Sequence, residues 1–289
     1  MAEGALPDKT GDIMKKEIEL VAMDIDGTIL GKNKTLSERT KTVFQKAAEK
    51  GIHLVVASGR AVQAVPEEIR RLQGVEYVIS SNGSSIFRLS DGQRIYEKDL
   101  TSNQVDDLLA FYGGYSCPIE VFIQGRPYTS EAYYHEPEKF GADPLAAEYV
   151  RTTRCPVANI RQFIQKHKKE IEGVNFIVYD PELKKEMRSR LESFGGLYVT
   201  SSVPRYIEIS HGDVCKRNAL IWLNGFLGIP REHTVAFGDG ENDLEMIRYA
   251  GIGVAMGNGT DGLKAAADVI ARPCDEDGVA RLLEEMLEI

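Results

Sequence analysis

The stretch VAMDIDGTIL, residues 21–30, places a run of apolar side chains beside two carboxylates, Asp24 and Asp26. A run this continuous is typical of a strand that is buried on both faces of a parallel sheet. Two like charges at the end of such a strand repel each other, so a cation or a shared proton must offset the repulsion. The stretch therefore predicts a buried strand whose carboxyl end holds a cation or a shared proton.

The same arrangement recurs along the chain, because other apolar runs end at Ser58, Asn82 and Asp239. Segments with helical periodicity separate these runs. Strands that alternate with helices predict a parallel sheet covered on both sides, and such sheets bind ligands at the carboxyl ends of their strands. We therefore expect an α/β fold, a doubly wound parallel sheet whose polar strand ends meet at one edge.

Between residues 84 and 211 the pattern changes to short strands and hairpins, one of them around Asp91-Gly92. An Asp-Gly pair between two apolar runs is a hairpin signal. Short strands mixed with helices predict a separate α+β unit with an antiparallel sheet. The predicted organisation is a catalytic core domain of residues 18–83 and 212–289, an inserted α+β cap domain of residues 84–211 and a disordered leader of residues 1–17.

The composition limits the class of partner. The formal net charge is −9 and the basic residues form no cluster, which argues against nucleic acid as a ligand. No apolar run reaches the length that a membrane span needs, and the first residues lack a signal-peptide pattern. The four cysteines lie far apart, which favours reduced thiols in a cytoplasmic protein. We expect a small-molecule substrate and either a monomer or a homodimer.

Asp239 and Asp243, in FGDGENDLEM, add two carboxylates after another apolar run. With Asp24 and Asp26 they form a set of oxygen ligands that contains no histidine or cysteine. Such a set favours a hard cation, and Mg²⁺ above Zn²⁺. Because Mg²⁺ keeps several waters and usually works with a phosphate, we expect phosphate-binding groups elsewhere in the chain.

Several groups in the sequence are suited to binding an anion. The Gly27-Thr28 turn offers backbone N–H groups. Ser58, followed by Gly59 and Arg60 at a predicted helix start, offers a hydroxyl and further N–H donors. Lys216 offers a positive charge at the start of another predicted helix. A nucleophile, a metal, an acid–base group and charge neutralisers are the components of a phosphoryl-transfer site.

Four short motifs occur in order, with a gap of domain size between the second and the third. They are DIDGT at residues 24–28, SGR at residues 58–60, Lys216, and GDGEND at residues 238–243. Each is weak evidence alone, but the ordered set resembles that of the haloacid dehalogenase-like hydrolases, in particular the Cof-type sugar-phosphate phosphatases with a C2B-type cap. The resemblance extends from residue 18 to residue 289. It departs from the family pattern at Arg217, where relatives usually have glycine.

The resemblance implies a phosphoric monoester hydrolase and a role for each of the four aspartates. Asp24 attacks phosphorus and forms an aspartyl-phosphate. Asp26 protonates the leaving alcohol and then activates the water that hydrolyses the intermediate. Mg²⁺ is held by the Asp24 carboxylate, the Asp26 backbone carbonyl and the Asp239 carboxylate, with support from Asp243.

The resemblance also implies a set of contacts to the phosphoryl oxygens, made by Ser58, the Gly59 backbone, Lys216 and Asn242. Plainer interpretations exist, since Ser58 can be a simple helix cap and Lys216 a solvated lysine. Arg60 either contacts the substrate or stabilises its own loop. Asn82 is either a site residue or a turn residue before Gly83. The residues alone leave both interpretations open for Arg60 and Asn82.

Three functions are compatible with this set of residues. The first is a Mg²⁺-dependent phosphatase of small phosphorylated metabolites, with sugar phosphates as the leading class. The second is a phosphomutase of hexose phosphates, and the third is a non-catalytic phosphometabolite-binding module. An intact Asp26 argues against the third, because a stable phospho-aspartate has no use for an acid–base group. The preferred ester stays open, since it depends on cap residues that follow no readable pattern.

Overall fold

The structure is a computed structural model that describes residues 17–31 and 33–289. Apart from Glu17, the leader predicted over residues 1–17 lies outside the described residues. The chain forms two compact units. The described residues of 17–56, 72–76 and 221–289 make the first, and residues 57–71 and 77–220 make the second. The domain boundaries placed at 83/84 and 211/212 from the sequence stay a prediction.

The strands are β1 Leu20–Met23, β2 His53–Ala57, β3 Val75–Ser80, β4 Ser85–Arg88, β5 Arg94–Glu97, β6 Ile119–Ile123, β7 Arg126–Ser130, β8 Cys155–Val157, β9 Ile171–Ile177, β10 Leu197–Thr200, β11 Tyr206–His211, β12 Thr234–Gly238, β13 Ile252–Ala255 and β14 Val269–Ile270. The helices are α1 Glu38–Glu49, α2 Glu67–Arg70, α3 Ser102–Tyr112, α4 Glu131–His135, α5 Pro144–Thr153, α6 Ile160–Lys166, α7 Pro181–Glu192, α8 Lys216–Leu227, α9 Leu244–Tyr249, α10 Asp261–Ala266 and α11 Gly278–Leu287. In the described part of the chain, none of these helices combines the length and the apolar character that crossing a bilayer requires.

The first unit contains a parallel sheet in the order β14-β13-β12-β1-β2. All four residues of β1 are fully buried, as the apolar run in the sequence predicts. From β1 the chain continues to β2 on one side, whereas β12, β13 and β14 extend the sheet on the other. This reversal creates a topological switch point between β1 and β12, where doubly wound sheets bind their ligands. The predicted α/β fold class is confirmed.

The second unit contains a six-stranded sheet in the order β10-β11-β9-β6-β7-β8. Its pairs are antiparallel except for β7 and β8. The β6–β7 hairpin turns at Gln124 and Gly125, which both have positive φ, 49° and 74°. Two successive positive φ values match the twist of a two-residue hairpin. The strands β3, β4 and β5 are also joined by antiparallel pairs.

The two faces of the six-stranded sheet differ in chemistry. One face carries an apolar core with helices α3, α6 and α7, in which Val121, Val174 and Ile207 are buried. The opposite face carries what we call the polar row: Thr200, Glu208, Asn175, Glu120 and Thr129. Each member lies directly across from the next in the strand register, so all five side chains point to the same face. None of them is more than 5% exposed.

Candidate active site

Two predicted metal ligands lie at the switch point of the first unit. Met23, the last residue of β1, is in register with Phe237 of β12. Asp24 follows directly, and its N–H donates to the Phe237 carbonyl at 3.1 Å. Asp239 follows β12 in the same way. Because the two strands are parallel neighbours, Asp24 and Asp239 leave the sheet side by side.

A cluster of three carboxylates forms here. Asp24, Asp239 and Asp243 each offer an oxygen, and these oxygens lie within 4.8 Å of one another. Asp24 and Asp243 are buried, so water screens their repulsion poorly, and either a cation or a shared proton would offset it. The Asp243 Oδ2 atom accepts hydrogen bonds from the N–H groups of Asp239 at 3.0 Å and Gly240 at 2.9 Å. The all-oxygen donor set fits Mg²⁺.

The turn after β1 is shaped to fit against Asp239. Gly27 has φ +86°, and a Cβ atom at this position would lie 2.3 Å from Asp239 Oδ2. The Thr28 hydroxyl donates to Asp239 Oδ1 at 3.1 Å. Asn258 donates from Nδ2 to the Gly27 carbonyl at 2.8 Å, while its Oδ1 accepts from the Cys274 N–H. The sequence analysis missed Thr28 and Asn258 as supports of the carboxylates, although both lie in Gly-containing turns that follow strands.

The side chain of Asp26 lies in a different environment from that of Asp24. It is 33% exposed, and its Oδ1 atom accepts a hydrogen bond from Lys34 Nζ at 2.7 Å. Lys34 is itself 48% exposed, so water screens this ion pair and its contribution to stability is small. The pair places a proton donor beside the carboxylate. No spacing rule in the sequence pointed to Lys34, because it lies on an irregular loop.

Asn242 lies in the same turn as Asp243. The turn is a short 3₁₀ segment, Glu241–Asp243, which directly precedes α9. Asn242 is 4% exposed, and its Oδ1 atom would lie 2.9 Å from a Cβ atom at Gly240. The first unit thus brings Asn242 into one turn with two of the three clustered carboxylates.

The second unit brings the predicted phosphate-binding loop together with Asn82. The Ser58 carbonyl accepts from the Asn82 N–H at 3.0 Å, and the Ser58 hydroxyl accepts from the Arg60 N–H at 3.2 Å. A Cβ atom at Gly59 would lie 3.1 Å from Asn82 Oδ1. Ser81, Asn82 and Gly83 have successive positive φ values of 49°, 56° and 104°. Non-glycine residues hold such angles only where the surroundings enforce them.

Lys216 is the first residue of α8 and is 1% exposed. The carbonyl oxygen of the preceding residue, Cys215, lies close to Gly83, and a Cβ atom at Gly83 would lie 2.4 Å from that oxygen. A buried carboxylate, Glu208, accepts from Asn82 Nδ2 at 2.9 Å and from the Ser202 hydroxyl. Burial raises the pKa of Glu208, and the positive charge of Lys216 acts in the opposite direction. The sequence analysis missed Glu208, whose only signal is an acid within an apolar strand.

Arg60 contacts both its own loop and a tyrosine of helix α5. Its Nη1 group donates to the Ala64 carbonyl at 3.0 Å, which stabilises its own loop. Its guanidinium carbon also lies 4.8 Å from the ring centroid of Tyr149 in α5. Arg154 approaches the same ring at 4.5 Å. Tyr149 therefore interacts with two guanidinium groups.

Comparisons with known proteins agree with the motifs. The sequence profile of the haloacid dehalogenase-like hydrolases matches residues 21–283. Phosphatase YwpJ of Bacillus subtilis is 30% identical, over 93% of this chain and 100% of its own length. The 5-amino-6-(5-phospho-D-ribitylamino)uracil phosphatase YitU of the same organism is 28% identical, over 96% and 100%.

A solved structure, a haloacid dehalogenase-like hydrolase from B. subtilis, superposes with a TM-score of 0.80 at 26% identity. The match covers 92% of this chain and 99% of that one. The four ordered motifs, the profile match over most of the chain and the shared fold lead to one conclusion. The chain belongs to the haloacid dehalogenase-like hydrolase family, as the sequence predicted.

Proposed function

We propose that this hydrolase is a Mg²⁺-dependent phosphatase of small phosphorylated metabolites, with sugar phosphates as the leading class. The observation that carries the proposal is the cluster of Asp24, Asp239 and Asp243, whose carboxylate oxygens lie within 4.8 Å of one another at the switch point. The names of two relatives, both phosphatases, support the reaction class. We further propose that the enzyme acts in the cytoplasm as a monomer or homodimer.

Asp24 is the proposed nucleophile. Its carboxylate oxygen forms a bond to phosphorus while the bond between phosphorus and the leaving oxygen breaks, which gives an aspartyl-phosphate. Asp26 gives its proton to the leaving oxygen and later takes one from water. That water then attacks phosphorus, releases inorganic phosphate and restores Asp24. The Lys34 contact to Asp26 supports a carboxylate that is charged between these two steps.

The acidic cluster and its neighbours are the proposed metal site. The Asp24 and Asp239 carboxylates and the Asp26 backbone carbonyl would hold Mg²⁺. The Asp243 carboxylate orients Asp239 by accepting a hydrogen bond from the Asp239 N–H. When bound, the ion would neutralise the negative charge of the phosphoryl group. Thr28 holds the Asp239 carboxylate by a hydrogen bond, so its orientation is fixed before the ion arrives.

Four groups are proposed to bind the phosphoryl oxygens: Ser58, the Gly59 backbone, Lys216 and Asn242. The Ser58 carbonyl accepts from the Asn82 N–H, a Cβ atom at Gly59 would meet the Asn82 side chain, and Lys216 is a buried lysine. Buried donors interact more strongly with developing charge than solvated ones. We assign supporting roles to Arg60 and Asn82, and we assign the choice of substrate to the proposed cap of residues 84–211.

The test of this proposal is hydrolysis of p-nitrophenyl phosphate with Mg²⁺ and with EDTA. Asp24→Asn keeps the size of the side chain but weakens the nucleophile, so we expect hydrolysis to fall to background. Asp107→Asn, an exposed acid on α3, is the matched control and should retain the wild-type rate. Turnover by the Asp24→Asn enzyme, or full activity in EDTA, would contradict the proposal.

The phosphomutase alternative is tested with glucose 1-phosphate. A phosphatase releases inorganic phosphate from the first turnover. Appearance of glucose 6-phosphate before free phosphate would favour the phosphomutase instead.

A further inference from the structure

Four buried polar groups of the second unit make no hydrogen bond in the part of the chain that the structure describes. They are the hydroxyls of Tyr133, Tyr179 and Tyr206 and the Nε atom of Arg205, and we call them the tyrosine–arginine cluster. Tyr133 is 0% exposed and Tyr206 is 5% exposed. Buried polar groups are normally paired, so each exception needs an explanation.

The four groups of the cluster come from segments that pack against one another. Tyr133 lies on α4, Tyr179 follows β9, and Arg205 directly precedes Tyr206, the first residue of β11. Tyr133 and Tyr206 belong to one apolar cluster, against which Tyr179 packs. The Arg205 guanidinium carbon lies 5.1 Å from the centroid of the Tyr206 ring, and electrostatic interactions link Arg205 to all three tyrosines. The four groups are therefore neighbours.

Two pairs of these groups approach each other without a well-formed hydrogen bond. The Tyr133 hydroxyl faces that of Tyr179, and Arg205 faces the Tyr206 hydroxyl, yet neither contact has hydrogen-bond geometry. Burial raises the pKa of Tyr133 and of Tyr206, so both hydroxyls keep their protons at neutral pH. A guanidinium offers donors and no acceptor. All four groups can thus donate a hydrogen bond to a shared acceptor.

The charges around the cluster sum to a positive value. The Glu120 carboxylate acts on both Tyr133 and Tyr206, but it binds the Arg154 guanidinium through two contacts of 2.8 Å, so this pair is neutral as a whole. Arg205 is half-buried, and no carboxylate among the described residues forms an ion pair with it. A charge that is removed from water without a counter-ion is unfavourable, and a bound anion would supply that counter-ion.

An ordered water molecule is the alternative ligand, because water also accepts hydrogen bonds and often pairs with buried polar groups. A water molecule carries no charge, however, and would leave the Arg205 guanidinium without a counter-ion. The combination of several donors with one unbalanced positive charge therefore favours an anion over water.

We infer that the tyrosine–arginine cluster is a binding site for a small monovalent anion, either a carboxylate or a halide. The anion accepts hydrogen bonds from the three hydroxyls and from Arg205 Nε, and it links α4 to the start of β11. None of the four residues belongs to the groups proposed for phosphoryl transfer or for Mg²⁺ binding, so the inference does not depend on the proposed function. Because the anion binds groups that only folding brings together, it stabilises the folded state.

The first experiment measures the unfolding temperature, Tm, while sodium chloride or sodium acetate is added to the protein in a zwitterionic buffer. We expect the Tm of the wild type to rise by about 3 °C at a tenfold excess of the anion over its Kd. Arg205→Gln removes the positive charge and should lose this rise, and the salt with the larger difference between the two proteins identifies the anion. Arg161→Gln, which removes a guanidinium stacked on Tyr112, is the matched control and should respond as the wild type does. Equal rises in the wild type and Arg205→Gln with both salts would overturn the inference.

The second experiment distinguishes an anion from an ordered water by the variant Tyr133→Phe. Without the anion, the Tyr133 hydroxyl is buried and unpaired, so its removal should leave Tm unchanged or raise it. At saturating anion the same change removes a donor to the ligand, and the wild type should become the more stable protein. Tyr134→Phe, which removes a hydroxyl that donates to the Arg151 carbonyl, should differ from the wild type by the same amount at every anion concentration.

A loss of stability in Tyr133→Phe that is the same with and without the anion would overturn the inference in favour of a bound water. If Tyr133→Phe does not fold, the comparison of the wild type with Arg205→Gln still decides.

Discussion

At the scale of single residues, the carboxylates of the first unit accept hydrogen bonds from backbone N–H groups as well as from side chains. Asp243 is fully buried, and one of its oxygens accepts from two successive N–H groups. That arrangement fixes the turn on which Asp239 lies. Asp243 therefore acts on the proposed metal site through the backbone of its neighbour.

Replacing Asp243 by alanine removes the acceptor of both N–H groups and a negative charge from the cluster. We expect the affinity for Mg²⁺ to fall about 10- to 100-fold, the usual effect of losing a group that orients a ligand. Isothermal titration of the apoprotein with Mg²⁺ measures this directly. Glu285→Ala, which removes an exposed acid from α11, should leave the affinity unchanged. Wild-type affinity in Asp243→Ala would show that the turn needs no carboxylate.

The predictability of the site differs from residue to residue. Asp24 and Asp239 could be predicted because each follows an apolar run, and the parallel strands then fix where they lie. Thr28, Asn258 and Glu208 could not, because their contacts depend on the approach of segments distant in sequence. Such approaches leave no periodic signal in the chain.

At the scale of elements, helix α5 is joined to the six-stranded sheet by a buried ion pair. Arg154 follows α5 and is 6% exposed, and its guanidinium binds both oxygens of Glu120 on β6. Among the residues that the structure describes, Arg154 is the charged partner that hydrogen-bonds both oxygens of the buried Glu120 carboxylate. Removing one member leaves a charge in the interior that has no compensation.

Replacing Arg154 by methionine should lower the free energy of unfolding by about 3–5 kcal/mol, because Glu120 stays buried and unpaired. Replacing Glu120 by methionine as well should recover most of this loss. Urea unfolding followed by circular dichroism measures both values. Arg151→Met, which breaks an exposed pair with Glu138 on the surface of α5, should cost about 1 kcal/mol or less. Equal losses for Arg151→Met and Arg154→Met would refute the role of burial.

The elements themselves were largely predictable, whereas their polar contacts were not. A serine before a segment of helical periodicity indicates an N-cap, and the Ser37 hydroxyl caps α1 by accepting from the Thr40 N–H. The helix that follows Pro66, α2, has only four residues. The polar row was not predicted, because a register between five strands cannot be deduced from the spacing within any one of them.

At the scale of the whole molecule, stability depends on carboxylates whose pKa values shift in opposite directions. Glu172 is fully buried and accepts from the Ser81 hydroxyl and the Gly125 N–H. Burial raises the pKa of Glu172 above its ordinary value of 4.5. Asp91 is exposed beside Arg88, whose hydrogen bond lowers the pKa of Asp91 below 3.8. The two acids therefore respond to pH with opposite sign.

A raised pKa in the folded state means that folding favours the protonated form of Glu172. Its favourable contribution is present below pH 4.5 and is lost as the pH rises through the higher folded value. The free energy of unfolding of the wild type minus that of Glu172→Gln should therefore decrease from pH 4.5 towards neutral pH. Urea unfolding of both proteins across this range tests the trend, and Asp91→Asn should show the reverse trend at more acidic pH. If the difference in the free energy of unfolding between the wild type and Glu172→Gln did not change with pH, the raised pKa of Glu172 would be contradicted.

The division of the six-stranded sheet into an apolar and a polar face has a consequence for evolution. The strands and helices that fold this segment rely on one face, with Val121, Val174 and Ile207 at its centre. Residues of the polar row, such as Asn175 and Glu208, lie on the other face. After a gene duplication, residues of the polar face can therefore change while residues of the apolar face keep the protein able to fold. Under the proposed role of residues 84–211 in the choice of substrate, descendants of one ancestor would acquire new metabolite preferences by a few substitutions on this face, without changes to the apolar core.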